Sequence, residues 1–370
     1  MGNTAEIPFT EIVERVKKLA RSSDNTYEKI RGIVNDVYTR EMGAKFDWNF
    51  LYTSSGVTTV AEAHGGNITM NTGDTAVILS SGTFQPNVAG YQIKFSGNDT
   101  VYDVIAYNNS TSVTINPALM GPQNLSGASY SLYQSRYPLA PNFDRFPKPG
   151  GVYRWAGGKK QILAELQYAN YVNDFYQSTA TTPSNTRLIG TDSTGCQMFE
   201  FVPAPRLASV YGYDYLRTVA PMWESTGGNI TSINSMGTTV QASGANFTKA
   251  LTDGSCFFRV DNLGKGADST WYRILSVQND NQLTLATVFA STGVTVANYT
   301  IAKSPEYPTR LHLGIVWGAC RQMTIDQDDP NAQFYHSQYA TVMSDGKKIY
   351  VSRPYSQDVT GAFEDYRYRR

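Results

Sequence analysis

Charge is scarce in this chain. Asp, Glu, Lys and Arg make up 17% of its 370 residues, and 31 basic residues balance 31 acidic ones. A net charge of zero leaves no broad basic field of the kind that grips nucleic-acid phosphates tightly. Cysteine is scarcer still: Cys196, Cys256 and Cys320 are odd in number and widely separated, which excludes a disulfide framework or a zinc site and reads as small buried apolar residues. No apolar run approaches the ~18 residues that span a membrane, and residues 1–21 lack the apolar core of a secretion signal, so folding in a cytoplasm is expected.

Tyr occurs 25 times and Gly 31 times, a balance suited to β structure with many turns and to protein-contact surfaces, because Tyr carries a rigid apolar body with a polar tip. At 370 residues the chain exceeds the size at which single cores stop growing, so two or three domains are expected.

Residues 8–20 place Phe9, Ile12, Val13, Val16 and Leu19 at helical spacing, with Glu11, Glu14, Arg15, Lys17 and Lys18 on the other faces. A second helix follows, with Asn25 and Glu28 spaced as a capping box and Ile30, Ile33, Val34, Val37 and Tyr38 as its stripe. Trp48, Phe50 and Tyr52 close this region. From Val57 the texture changes to Thr, Ser, Asn and Gly with short β-branched runs at 76–79, 91–95, 101–105 and 113–115, the pattern of a small sandwich or barrel.

That β segment recurs. Gly65-Gly66-Asn67-Ile68-Thr69 is repeated identically as Gly227-Gly228-Asn229-Ile230-Thr231. After it Ala76 and Val77 match Thr239 and Val240, Ser81-Gly82 matches Ser243-Gly244, and Phe84 matches Phe247. Tyr91-Gln92-Ile93 is matched to Phe257-Phe258-Arg259, Tyr102 to Tyr272, and Val113-Thr114-Ile115 to Leu283-Thr284-Leu285. Strands around Tyr130 and Tyr299 then lead to Tyr137-Pro138 and Tyr307-Pro308.

Between the copies a helix is expected over 161–171, with Ile162, Leu163 and Leu166 inward, and strands over 197–202 and 209–215. After the second copy, 309–323 reads as a helix with Leu311, Ile315, Val316 and Ala319 on one side, and Asp329-Pro330 opens another that runs through Phe334, Tyr335 and Val342 to Gly346. The expected fold class is α+β, a helical core built from both chain ends with two duplicated all-β insertions, sandwich or barrel-like, and an extended C-terminal arm. Its parts are 1–56 (helical core), 57–141 (first β insertion), 142–222 (mixed middle segment within the core), 223–308 (second β insertion), 309–351 (helical core) and 352–370 (arm).

Catalytic and metal signatures are poor. Asp326, Asp328 and Asp329 lack the central Gly and terminal Glu of a calcium loop, and Asp329 suits a helix cap. His64, His312 and His336 have no metal-ligand spacing, and His312 between Leu311 and Leu313 reads as a packed histidine. Gly264-Lys265-Gly266 and Gly157-Gly158-Lys159 lack the Walker spacing and read as turns. The carboxylate pairs Glu165 with Asp174 and Glu200 with Asp214 leave wall hydrolysis as a minor alternative. Neither an enzyme, a cofactor nor a metal is expected.

The order of features resembles the head-to-tail adaptor, or head-completion and upper tail-tube ring, proteins of tailed bacteriophages, along most of the chain. The resemblance is carried by the helical start with its aromatic cluster and by the β insertion leading through Tyr130-Ser131-Leu132-Tyr133 into Arg136-Tyr137-Pro138-Leu139. Met198-Phe199-Glu200-Phe201-Val202-Pro203-Ala204-Pro205 with the strand 211–217, and the helix 311–323 leading into 332–343, complete it. It implies a virion neck or tail protein assembled in the host cytoplasm, with ~12 copies in a ring. Its partners would be the portal, a tail tube or nozzle protein or a tail fibre, and double-stranded DNA passing during ejection without specific binding. The C-terminal arm would dock on the portal through Tyr355, Phe363, Tyr366, Arg367, Tyr368, Arg369 and Arg370, Arg forks pairing with carboxylates and stacking on rings. A receptor- or glycan-binding or decoration protein of the virion is the competing expectation.

Overall fold

The computed structural model describes residues 6–20, 26–121, 123–147, 150–165, 182–251, 255–261, 270–324 and 329–351. The fold is α+β, and its contacts divide it into two units, Tyr52–Arg217 and Met1–Leu51 with Thr218–Arg370.

In the first unit every regular element among the described residues is a strand. β1 (Tyr52–Thr58) leads into β2 (Ala63–Met70), β3 (Ala76–Leu79), β4 (Gln92–Phe95), β5 (Val101–Asn109), β6 (Ser112–Asn116) and β7 (Leu125–Tyr133). β2 to β7 close into a barrel in the order β2-β3-β6-β5-β4-β7, filled by Ile68, Val77, Ile93, Phe95, Tyr102, Val113 and Ile115. Closure leaves no open edge.

The rest of this unit is β8 (Arg136–Pro138), β9 (Phe143–Arg145), β10 (Val152–Ala156), β11 (Lys159–Ile162), β12 (Ala164–Glu165), β13 (Asn185–Thr191), β14 (Gln197–Val202) and β15 (Val210–Arg217). One sheet runs β1-β15-β10-β11 with β9 also on β15, and the other β12-β13-β14-β8. Tyr137, Phe199 and Phe201 of one share a core with Val152, Tyr211, Tyr213 and Tyr215 of the other, an aromatic sandwich. The helix expected over 161–171 is replaced at Gln161, Ile162, Ala164 and Glu165 by strands, because β10 and β11 pair across the Gly157-Gly158 turn; residues 166–171 lie outside the described residues. The barrel is also narrower than 57–141, since β1 and β8 belong to the sandwich sheets. The middle segment up to Arg217 is grouped by its contacts with the first β segment, not with the helices.

The second unit holds α1 (Phe9–Ala20), α2 (Tyr27–Asp36), which continues as a π-helix (Val37–Gly43), α3 (Thr309–Thr324) and α4 (Ala332–Tyr350). Phe9, Ile12, Val13 and Val16 of α1, Ile30 and Val34 of α2, and Leu311, Ile315, Val316 and Ala319 of α3 are buried as their spacing predicts; Leu19 is exposed, and Ala20 is buried in its stead. The N-cap of α2 is Thr26, whose hydroxyl accepts the Lys29 N–H at 3.3 Å; Asn25 lies outside the described residues. Asp329 does not cap α4 directly but accepts the Asn331 N–H at 2.8 Å, turning the chain into it. α4 also runs past Gly346. That glycine serves close packing and not termination, since a Cβ there would lie 2.5 Å from Leu311 Cδ2.

The same unit contains β16 (Glu224–Ser225), β17 (Asn229–Ile233), β18 (Thr239–Ser243), β19 (Cys256–Val260), β20 (Tyr272–Asn279), β21 (Gln282–Leu285) and β22 (Tyr299–Lys303), in the order β16-β22-β19-β20-β21-β18-β17. Setting β16 aside, this is the strand order of the barrel. Bridges Ile230↔Ala297 and Ile233↔Val294 bring β17 to the segment before β22, where the barrel has its β2–β7 ladder. Register repeats too: Val77 pairs with Val113 as Val240 pairs with Leu283, and Phe95 with Tyr130 as Val260 with Tyr299. One correspondence shifts by a residue. Ile93 pairs with Tyr102 and Phe258 with Tyr272, so Ile93 matches Phe258 and Arg259 matches Lys94. The period of two decides it, because matching Arg259 to Ile93 would give a guanidinium a core position.

Candidate functional site

Tyr355, Phe363, Tyr366, Arg367, Tyr368, Arg369 and Arg370 all lie outside the described residues. The described chain ends at Val351, which bridges to Trp48, and the Trp48 indole donates to the Met42 carbonyl at 2.7 Å.

Two of the carboxylates weighed for wall hydrolysis, Glu200 and Asp214, are committed to internal bonds. Glu200 on β14 is 0% exposed; Arg136 Nε donates to its Oε1 at 3.1 Å and Arg187 Nη2 to its Oε2 at 2.8 Å. Arg136 also reaches Asp103 of β5 at 3.2 Å, and Ser135 donates to Gln92 of β4 at 2.6 Å. This cluster ties the barrel to the sandwich. Asp214 on β15 accepts from Ser54 at 2.9 Å, from Tyr153 at 3.3 Å and from Lys160. Burial pushes its carboxyl up, but the Lys160 and Ser54 bonds outweigh that and hold it below the usual range. Glu165 is exposed on β12, and Asp174 lies outside the described residues. Glu200 and Asp214 are thus each held in ion pairs on different sheets.

Comparable clusters join the helices to the second β module. Glu224 of β16 accepts from Thr10 at 2.5 Å and from Tyr27 at 3.0 Å, with Arg31 Nε at 3.5 Å. Asn35 and Met222 exchange two hydrogen bonds, at 2.8 and 3.0 Å, and Arg259 reaches Glu14 at 3.4 Å. Within the helices, Arg321 grips both oxygens of Glu41 in the π-helix at 2.6 and 2.7 Å.

His312 is buried. Its Nδ1 accepts the Ile7 N–H at 3.1 Å, and Nε2 donates to the Tyr307 carbonyl at 2.8 Å, which fixes the neutral tautomer. Burial lowers its pKa, and the backbone bonds only partly offset that. His64 and His336 are exposed on different units. Among the described residues no three His, Cys, Asp or Glu side chains are grouped to hold a metal ion. Cys256 and Cys320 are buried and Cys196 is half-buried; burial pushes the Cys320 thiol up to about 12.

Two surface features stand out beyond the sequence expectations, the second of them only in part. Ile105 and Leu275 sit at matching bulges, between Val104 and Ala106 and between Ile274 and Ser276, and are 58% and 69% exposed. The adjacent apolar pairs Val104-Ile105 and Ile274-Leu275, which break alternation, were the available signal. The second feature is the β10–β11 hairpin, which carries Arg154, Trp155, Lys159 and Lys160 and closes on Gly157 and Gly158 at φ +58° and +74°. The turn is the one expected at Gly157-Gly158-Lys159, whereas the strands on either side of it are not.

No known family pattern matches this chain, and no curated protein does.

Proposed function

We propose that this chain is a structural ring subunit of a tailed bacteriophage, the adaptor that joins the portal of the head to the tail and lets DNA pass. One observation carries the reading: two β modules of the same strand order and register each present an aliphatic side chain at the same outward bulge, Ile105 and Leu275. A bulge bends a strand, but bending alone does not call for a large apolar residue in water. Repeated apolar contacts suit a subunit that meets protein neighbours in a closed ring of ~12 copies. The helices from both chain ends and the commitment of Glu200 and Asp214 to ion pairs support a structural role over wall hydrolysis. The segment 352–370, with Tyr355, Phe363, Tyr366, Arg367, Tyr368, Arg369 and Arg370, is the portal anchor in this proposal.

Electron microscopy of the purified chain mixed with its portal tests the proposal. Rings on the portal are expected, and they should be lost on deletion of 352–370. A chain that stays monomeric with portal overturns the reading; trimers that bind glycan favour the receptor-binding alternative.

A further inference from the structure

The two β modules share more than strand order. Residues 75–93 and 104–135 of the barrel contain no Asp, Glu, Lys or Arg, and neither do residues 225–248, 274–279 and 281–302 of the second module. In each module these stretches build one wall of outward side chains. β3-β6-β5 sets Ala76, Thr114 and Ala106 abreast, and β18-β21-β20 sets Thr239, Thr284 and Ser276 abreast in the same register. Polar groups of this wall are bonded to one another: the Asn108 amide donates to Thr114 at 3.0 Å, and the Gln278 amide to Thr284 at 2.8 Å. Ile105 and Leu275 stand on the matched bulges of the same wall and stay exposed in the chain as a whole.

The turns that lead into β3 and β18 also correspond. The Gly73 N–H donates to the Leu119 carbonyl at 3.0 Å, and the Met236 N–H to the Phe289 carbonyl at 3.0 Å. Gly73 sits at φ +90°, which glycine adopts freely, whereas Met236 holds φ +61°, a strained conformation for a residue with a side chain. The strained turn presents its methionine to solvent, 70% exposed. Beside the two accepting residues, Met120 and Val288 are exposed as well. Both walls therefore end in apolar side chains standing in water.

An uncharged wall selects an uncharged partner, because charged groups buried against it would lose their water without gaining a counter-charge. The matched wall of the other module meets that condition. A foreign partner would have to be bound twice by every chain, whereas two walls on one chain supply the two unlike surfaces of a head-to-tail contact between copies. We propose that the β3-β6-β5 wall of one copy packs on the β18-β21-β20 wall of the next, with Ile105 and Leu275 at the contact and Met236 at its margin. Each copy then keeps one wall free for a further copy until a ring closes. The inference names the surfaces that join the ring, and it rests on the adaptor reading for the choice of a second copy as partner.

Sedimentation velocity of the full chain without portal tests it through two variants. I105D blocks one wall and L275D the other, so each alone is expected to be monomeric where wild type forms larger species. Mixed, the two retain one complementary pair of intact walls and should give dimers and nothing larger. M236G should weaken wild-type association several-fold while its thermal midpoint stays level or rises, since glycine relieves the turn. Unchanged thermal unfolding of I105D and L275D excludes loss of fold. A mixture that stays monomeric, a single variant that still assembles, or a wild-type chain that is monomeric at every concentration overturns the inference. Rings formed on portal by I105D/L275D overturn this contact and leave the adaptor reading standing. Dimers in the mixture from a chain that never engages portal support the contact and remove the adaptor reading.

Discussion

The Tyr102 hydroxyl accepts the Met120 N–H at 3.0 Å, eighteen residues along the chain, and in the second β module Tyr272 accepts the Ala290 N–H across the same interval at 3.1 Å. Each bond pins a loop to the wall of its module. Tyr102→Phe and Tyr272→Phe leave these N–H groups unpaired, and each is expected to lower stability by about 1–2 kcal/mol. Urea unfolding followed by circular dichroism measures this, and a neutral result at both positions would show that water replaces the hydroxyl.

Gly66 and Gly228 are matched in the same way, at φ +93° and +89°. A Cβ on Gly66 would fall 1.9 Å from the Ser81 carbonyl oxygen, and one on Gly228 2.7 Å from that of Ser243. Gly127, at φ +64°, has open space around it. Gly66→Ala should therefore cost about 3 kcal/mol, against about 1 kcal/mol for Gly127→Ala, where only the backbone conformation is disfavoured. Thermal denaturation of the two variants side by side gives the comparison.

These glycines also indicate why the repeat was legible. A turn that only glycine can make, and a tyrosine that wires a loop to its strand, survive as identities at fixed order, and both fell in the matched stretches. The one-residue slip at Ile93 arose where no such anchor stood, and only pairing to Tyr102 and Tyr272 decides the face. Strand takes the place of the helix expected at 161–171 over its described part, 161–165, for a related reason: Ile162, Leu163 and Leu166 span too few residues to separate a period of 3.6 from one of two. The tyrosine count suggests protein-contact surfaces, yet Tyr137, Tyr213 and Tyr307 are buried with their hydroxyls on backbone groups, as is Tyr38, which its helical spacing already places in the core. Composition cannot distinguish an interface tyrosine from one that satisfies a core. The ion pairs of Glu200 and Glu224 join residues far apart in the chain, so no spacing reveals them.

His312 makes stability pH-dependent with a definite sign. Burial holds its folded pKa below the ordinary 6.5, so the folded state keeps it neutral while the unfolded chain takes up a proton. The contribution is complete above about pH 6.5 and declines as pH falls through that value toward the lower folded pKa. Protonation also removes the acceptor for the Ile7 N–H. The midpoint of urea unfolding should therefore drop between pH 7 and pH 5, and His312→Gln should flatten that part of the profile. An identical slope in the variant would assign the effect to other groups.

Glu200 is where the barrel and the sandwich depend on one carboxylate. Its two oxygens are held by Arg136 and Arg187 with no exposure to water, and Arg136 carries the connection on to Asp103. Removing one member of a buried charge cluster leaves the others uncompensated, so Glu200→Gln should cost about 3–5 kcal/mol. Removing two together should cost less than the sum, because Glu200→Met with Arg187→Met takes away a charge and its counter-charge at once. A double-mutant cycle by urea unfolding measures that coupling. If Glu200 were instead an acid for wall cleavage, Glu200→Gln would abolish release of peptidoglycan fragments; the structural role predicts no release from the folded wild-type chain to begin with. Additive losses in the cycle would mean that the arginines hold the sandwich independently of the carboxylate.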